Sequence, residues 1–130
     1  MTNITIDTSA LIAVIAHEPS KNRIIELTVH AQLLAPSSVH WEIGNAFSAM
    51  LKRNRITLSQ AQSCIALYQQ IPIKFVEVPL INTTKLVEQL KIYAYDAYLI
   101  QCALQTKTPL LTLDTDLIEA AKSVGITILE

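Results

Sequence analysis

Short aliphatic runs that stop at a polar turn and hand over to a helical pattern narrow most sharply what this chain can become. The first run, residues 3–6, ends at Asp7-Thr8-Ser9, and a helix over 10–16 is expected from a Thr/Ser cap. A second helix opens at Pro19-Ser20 and reaches about residue 30. The next run, 33–35, ends at Pro36-Ser37-Ser38, and Ser38 is the expected cap of a helix to about residue 53. A helix over 60–70, a strand over 73–78 between Pro72 and Pro79, and helices over 81–93 and 96–106 follow. A strand over 110–113, a helix over 116–124 closed by Gly125, and a strand over 127–129 complete the series. Strand and helix in alternation imply a three-layer α/β/α domain with a five-stranded, mostly parallel sheet. With no linker or repeat in sight, residues 1–130 are expected to form one domain.

Several function classes drop out. The chain has only two glycines, Gly44 and Gly125, so neither a phosphate-binding loop nor a dinucleotide fingerprint can be written. Cys64 and Cys102 stand apart in apolar helical patterns, with no Cys/His spacing for zinc, and are expected as buried free thiols. Asp7 interrupts the first apolar stretch, and polar residues and Pro72 break up 56–73, so no leader or membrane span is expected and the reading is cytoplasmic. At a net charge of −1, nucleic-acid contact needs a local patch or a bound metal. Lys52-Arg53-Asn54-Arg55 is the densest basic cluster. It serves either as cations at a helix C-terminus or as a strip (Lys52, Arg53, Arg55) for an RNA backbone.

The acids point to chemistry. All four aspartates, Asp7, Asp96, Asp114 and Asp116, fall at the ends of expected elements, and Asp7 and Asp114 directly follow expected parallel strands. Ligands of open α/β sheets bind beyond the carboxyl ends of the strands, where strand order reverses. Asp96 as a helix head and Glu42 in an expected first turn belong to that same end. Carboxylates gathered without Lys or Arg repel one another, by roughly 4 kcal/mol for a pair about 4 Å apart at an effective dielectric near 20. A divalent cation relieves that, and an all-oxygen set selects Mg²⁺ or Mn²⁺. Such a site suits phosphodiester hydrolysis. Each acid also has a plainer role: Asp7 and Asp96 as caps, Asp114 in a turn, Asp116 in a capping box with Glu119.

Four pieces in order, Ile6-Asp7-Thr8-Ser9-Ala10-Leu11, Glu42-Ile43-Gly44-Asn45, Tyr95-Asp96-Ala97-Tyr98-Leu99 and Leu111-Thr112-Leu113-Asp114, give the chain its likeness. It resembles the PIN-domain nucleases, and in particular the VapC-type toxins of bacterial toxin–antitoxin pairs. The resemblance implies strand order 3-2-1-4-5 and an endoribonuclease site of Asp7, Glu42, Asp96 and Asp114, with Mg²⁺ or Mn²⁺ bound by the acids and Asp116 added near the metal. It further implies supporting roles for Ser9, Asn45 and Thr112, a homodimer, and a small antitoxin that inserts a segment into the active-site groove. Trp41 and Phe47 are candidate core or dimer-interface residues, and the apolar helices at 10–16 and 58–70 are a candidate intersubunit surface. A receiver domain is disfavoured, because Pro79-Leu80-Ile81 stands where its phospho-accepting Asp is needed. A PIN-like partner-binding module without catalysis and a metal-dependent nuclease acting on DNA are the remaining alternatives.

Overall fold

The computed structural model describes residues 2–130. Its elements run β1 (Thr2–Ile6), α1 (Thr8–Ile15), α2 (Lys21–Thr28), β2 (Ala31–Pro36), α3 (Ser38–Lys52) and α4 (Leu58–Gln70). They continue through β3 (Ile73–Val76), α5 (Leu80–Leu90), α6 (Ala94–Thr106), β4 (Leu110–Leu111) and α7 (Thr115–Ser123). The sheet is parallel, in the order β3-β2-β1-β4. Four strands are formed where five were expected. The segment expected as the fifth reaches the right neighbour, but only as a single bridge between Leu110 and Ile128. The reason lies in β4, which pairs over just two residues before Thr112 turns its hydroxyl toward Asp7 and leaves the ladder.

The chain moves outward from β1 to β2 to β3 and then returns to the other side of β1. Right-handed crossovers put the outward and returning helices on opposite faces. The covered parts of the strands are mainly apolar, and Ile4, Ile6, Leu33, Ala35, Leu110 and Leu111 join α1, α3 and α6 in one core. α1, expected as a candidate intersubunit surface, is instead central: Ala10, Leu11, Ala13 and Ile15 are buried, with α2, α3 and α4 around it. Phe47 is core, while Trp41 on the same helix is 70% exposed.

Several helix starts differ from expectation. α1 begins at Thr8 because Asp7, in extended conformation, caps it through Ala10 N (3.0 Å). α3 begins one residue early: Ser37 is the cap position and makes no side-chain cap bond. Glu42 therefore lies just past the first turn. α4 carries a full capping box, Thr57 with Gln60, ahead of the expected start. α6 begins at Ala94, so Asp96 stands inside its first turn and caps nothing. α5 ends at Lys91, held in the left-handed region (φ 57°). β3 stops at Val76, two residues short.

Candidate active site

Asp7 leaves β1 at the point where the strand order reverses, and its backbone N–H still donates to Leu111 O of β4 (3.2 Å). Its carboxylate is 5% exposed and heavily bonded. Ser9 Oγ donates to it, lying 2.8 and 2.9 Å from its two oxygens, while Thr112 Oγ1 donates to Oδ2. Ser9 Oγ accepts from Leu113 N (2.9 Å), and Thr112 Oγ1 accepts from Asp114 N (3.0 Å). Two hydroxyls thus tie the end of β1 to the end of β4. Asp114 caps α7, its Oδ1 accepting from Asp116 N (3.0 Å) and Leu117 N (3.2 Å). Asp116 is therefore not a cap, and its carboxylate is free on the first turn of α7.

Three of the acids are held above their ordinary range. Burial raises Asp7, the hydrogen bonds from Thr112, Ala10 and Ser9 pull it down, and the Asp114 charge adds to the rise. Burial also raises Glu42, to about 7, with the charges of Asp7 and Asp96 behind it. Asp96 is raised by burial and then by Asp114 and Asp116. The five carboxylates thus act on one another across the same end of the sheet. Thr8 stands near enough to ease the Glu42 shift. Yet neither Thr8 Oγ1 nor Glu42 Oε2 completes a hydrogen bond, and both are buried. An unpaired buried polar atom costs about 1–3 kcal/mol.

This donor set has the chemistry for a hard divalent cation: oxygens only, no ion pair with Lys or Arg, and a buried carboxylate oxygen with nothing to accept. Among the described residues no three His, Cys, Asp or Glu side chains stand close enough to share one ion. Full convergence on one spot, as expected from the sequence, is replaced by an arrangement within electrostatic reach. Repulsion between like charges holds the side chains apart, and Asp7 and Asp114 spend oxygens on helix caps.

The remaining expected site residues divide. Ser9 and Thr112 hold Asp7 directly. Asn45, one turn beyond Glu42, is exposed and bonds to none of the acids. Lys52, Arg53 and Arg55 are exposed at the far end of α3, with Lys52 in its last turn. Ten residues of helix put Lys52 about 15 Å along the axis from Glu42. Sequence reasoning missed Thr8 and Ser38, whose hydroxyls are both buried and unpaired. A Ser or Thr directly after a strand-ending turn is the available signal, and capping is its commoner meaning. A hollow of about 440 Å³ lies away from all the acids, between the end of α6 and the last residues of the chain.

Residues 4–123 match the family model of the PIN domain. Known structures share the architecture. PAE2754 from Pyrobaculum aerophilum aligns with a TM-score of 0.72 at 21% identity, over 92% of this chain and 86% of its own. VapBC2 from Rickettsia felis, solved with a DNA fragment from its promoter, gives 0.70 at 18% identity over 99% and 98%. VapC20 from Mycobacterium tuberculosis, a toxin that cleaves the sarcin–ricin loop, gives 0.66 at 14% identity over 98% of both chains. At these identities the likeness is one of fold. No curated protein sequence matches the chain.

Proposed function

The chain belongs to the PIN-domain family, and from that premise we propose that it is a Mg²⁺- or Mn²⁺-dependent endoribonuclease, the toxin of a toxin–antitoxin pair. The observation that carries the proposal is the tying of Asp7 to Asp114 through Ser9 and Thr112, with half-buried Glu42 repelled by its neighbours and its Oε2 buried without a partner. A fold keeps such a cluster against its own stability when the cluster has work to do. Asp7, Glu42, Asp96 and Asp114 are the catalytic acids of this proposal, and Asp7, Asp96, Asp114 and Asp116 would hold the cation. A divalent ion at such a site polarises a phosphodiester and lowers the pKa of bound water.

The chain's own residues prepare that chemistry. Ser9 and Thr112 fix the Asp7 rotamer by donating to its two oxygens. Glu42, on the surface of a core helix, can hold or release a proton near neutrality. VapBC2 and a second structural relative, FitAcB from Neisseria gonorrhoeae (TM-score 0.58, 16% identity, over 98% of this chain and 96% of its own), suggest by their names a paired protein. A cognate antitoxin belongs to the proposal on that footing, and a homodimer on the resemblance to VapC-type toxins. No described helix is long and apolar enough to cross a membrane.

The test is cleavage of single-stranded RNA and the matching DNA by the purified protein with Mn²⁺, Mg²⁺ or EDTA. RNA cut in either metal and spared in EDTA is expected, with Asp96→Asn inactive. Equal cutting by Asp96→Asn, or cutting in EDTA, overturns the proposal.

A further inference from the structure

A hollow of about 300 Å³ opens beyond the carboxyl ends of β2 and β3, at the end of the sheet where the acids lie. Pro36 and Ser38 border it from the β2–α3 turn, Val76 and Leu80 from the β3–α5 turn, and Tyr98 from α6. Adjacent strands are about 4.8 Å apart, so the hollow centres roughly 7 Å from the line of β1, within the reach of a single nucleotide. The same helices serve both places. Ser38 and Glu42 are four residues apart and share a face of α3, while Asp96 and Tyr98, two apart near the start of α6, point to different sides of it.

Two observations point to an occupant. Ser38 Oγ is buried and has no hydrogen-bond partner, so the turn that borders the hollow holds an unsatisfied hydroxyl. Leu80, an apolar wall, is 66% exposed and finds no cover within the chain. Tyr98 supplies an aromatic face, set edge-on to Tyr95 at 6.0 Å. The polar residues of the lining are Ser37, Ser38, Glu77 and Tyr98, with no Lys or Arg, so the lining disfavours a phosphate and suits a planar ring with N–H edges. The volume sits at the lower end of the range for small-molecule sites, which fits one ring and little more.

We propose that this hollow is a specificity pocket for one unpaired RNA base next to the cut phosphate, stacked on Tyr98 and read at its edge by Ser38 Oγ. The inference rests on the nuclease reading above and deepens it. Proteins select single-stranded RNA by stacking splayed bases on aromatic rings and bonding their edges.

The test has two arms on the full chain. In the first, Asp7→Asn protein is titrated against fluorescein-labelled five-nucleotide RNAs of varied sequence, alone and combined with Tyr98→Ala, Tyr98→Phe or Ser38→Ala. Affinity for the preferred RNA should fall roughly tenfold or more with Tyr98→Ala, as loss of one stacked base implies, and return with Tyr98→Phe. In the second arm, cut sites in a randomised RNA are mapped for chains that keep Asp7, and Ser38→Ala should relax base choice at one position beside the cut. Leu80→Ser, at an exposed position, should weaken binding severalfold and covers the case in which Tyr98→Ala does not fold. Unchanged affinity and unchanged cut-site preference across these variants overturn the pocket while leaving the nuclease intact. Binding that depends on Tyr98 without any cleavage keeps the pocket and overturns the nuclease. Neither binding nor cleavage overturns both.

Discussion

Thr5 and Asp7 stand two residues apart on the same strand line, and each meets a threonine flanking β4. Their fates differ. Thr5, fully buried, bonds Thr108 Oγ1 at 2.7 Å, and Thr108 is joined in turn by Thr106 at 3.1 Å. Thr106 closes the chain by donating to Cys102 O (2.6 Å). All three of these hydroxyls have partners. At the acid edge Asp7 is equally well held, but the atoms around it are not: Thr8 Oγ1, Ser38 Oγ and Glu42 Oε2 are all buried without partners. Native proteins pair nearly all their buried polar groups. One end of this sheet follows that rule and the other departs from it, which marks the second end as the one built for something that comes from outside.

The largest expected effect separates the two edges by activity. Asp7→Asn should lower the RNA cleavage rate by about 10³-fold or more, several kcal/mol of charge stabilisation being lost, while thermal melting in EDTA shows no loss of stability. Thr5→Val should do the reverse. It leaves Thr108 with one partner and should cost about 1–2 kcal/mol by urea denaturation, with cleavage per folded molecule kept. If Thr5→Val abolishes cleavage at full stability, the two edges are not functionally distinct.

Metal sharpens the contrast next. Mg²⁺ or Mn²⁺ at ten times its Kd should stabilise the parent by about 1.4 kcal/mol, with no gain in Asp96→Asn; a melting temperature indifferent to metal in the parent would falsify the site. The pH dependence of the metal-free protein is a smaller effect. Glu42 titrates near 7 in the fold against an ordinary 4.5. Between those values the native state binds more protons than the unfolded chain, so stability falls as pH rises. Asp7 and Asp96, also raised, push the same way from their own ordinary 3.8 upward. Solvent screens this half-buried group, so the loss from Glu42 should be on the order of 1 kcal/mol between pH 4.5 and 7, and Glu42→Gln should flatten the curve. A parent whose stability rises over that range breaks the electrostatic reading. The smallest effect belongs to the distant cations. Each charge removed from Lys52, Arg53 or Arg55 that touches RNA should reduce the salt slope of binding by about 0.7, measured by anisotropy at several salt concentrations; an unchanged slope returns them to their role at a helix end.

Much of the fold was legible because its signals are local. Aliphatic runs closed by Asp7, Pro36 and Pro79 mark strands, and the parallel alternation follows from them. Boundaries slipped where two residues compete for one cap. Ser37 and Ser38 offer the same chemistry, and only packing decides that Ser38 goes inside without a partner. Capping is the plainer alternative for Asp96 and Asp116 in the sequence because acids at helix starts commonly cap. In the fold Tyr93 and Asp114 occupy those positions, and the two acids are left free to act on each other. The fifth strand had the right composition and the right neighbour, yet two residues of β4 were too few to extend the ladder.

What the amino-acid order determined by itself is which segments are strands or helices and that acids stand where strands end, because turn chemistry and apolar periodicity act over a few residues. Only the tertiary structure decided which acids share a field, that Glu42 Oε2 and Ser38 Oγ have no partners, and that Asn45 bonds to none of the acids. Those facts depend on which strands become neighbours and how deeply each side chain is buried, and both are set by packing across the whole sheet.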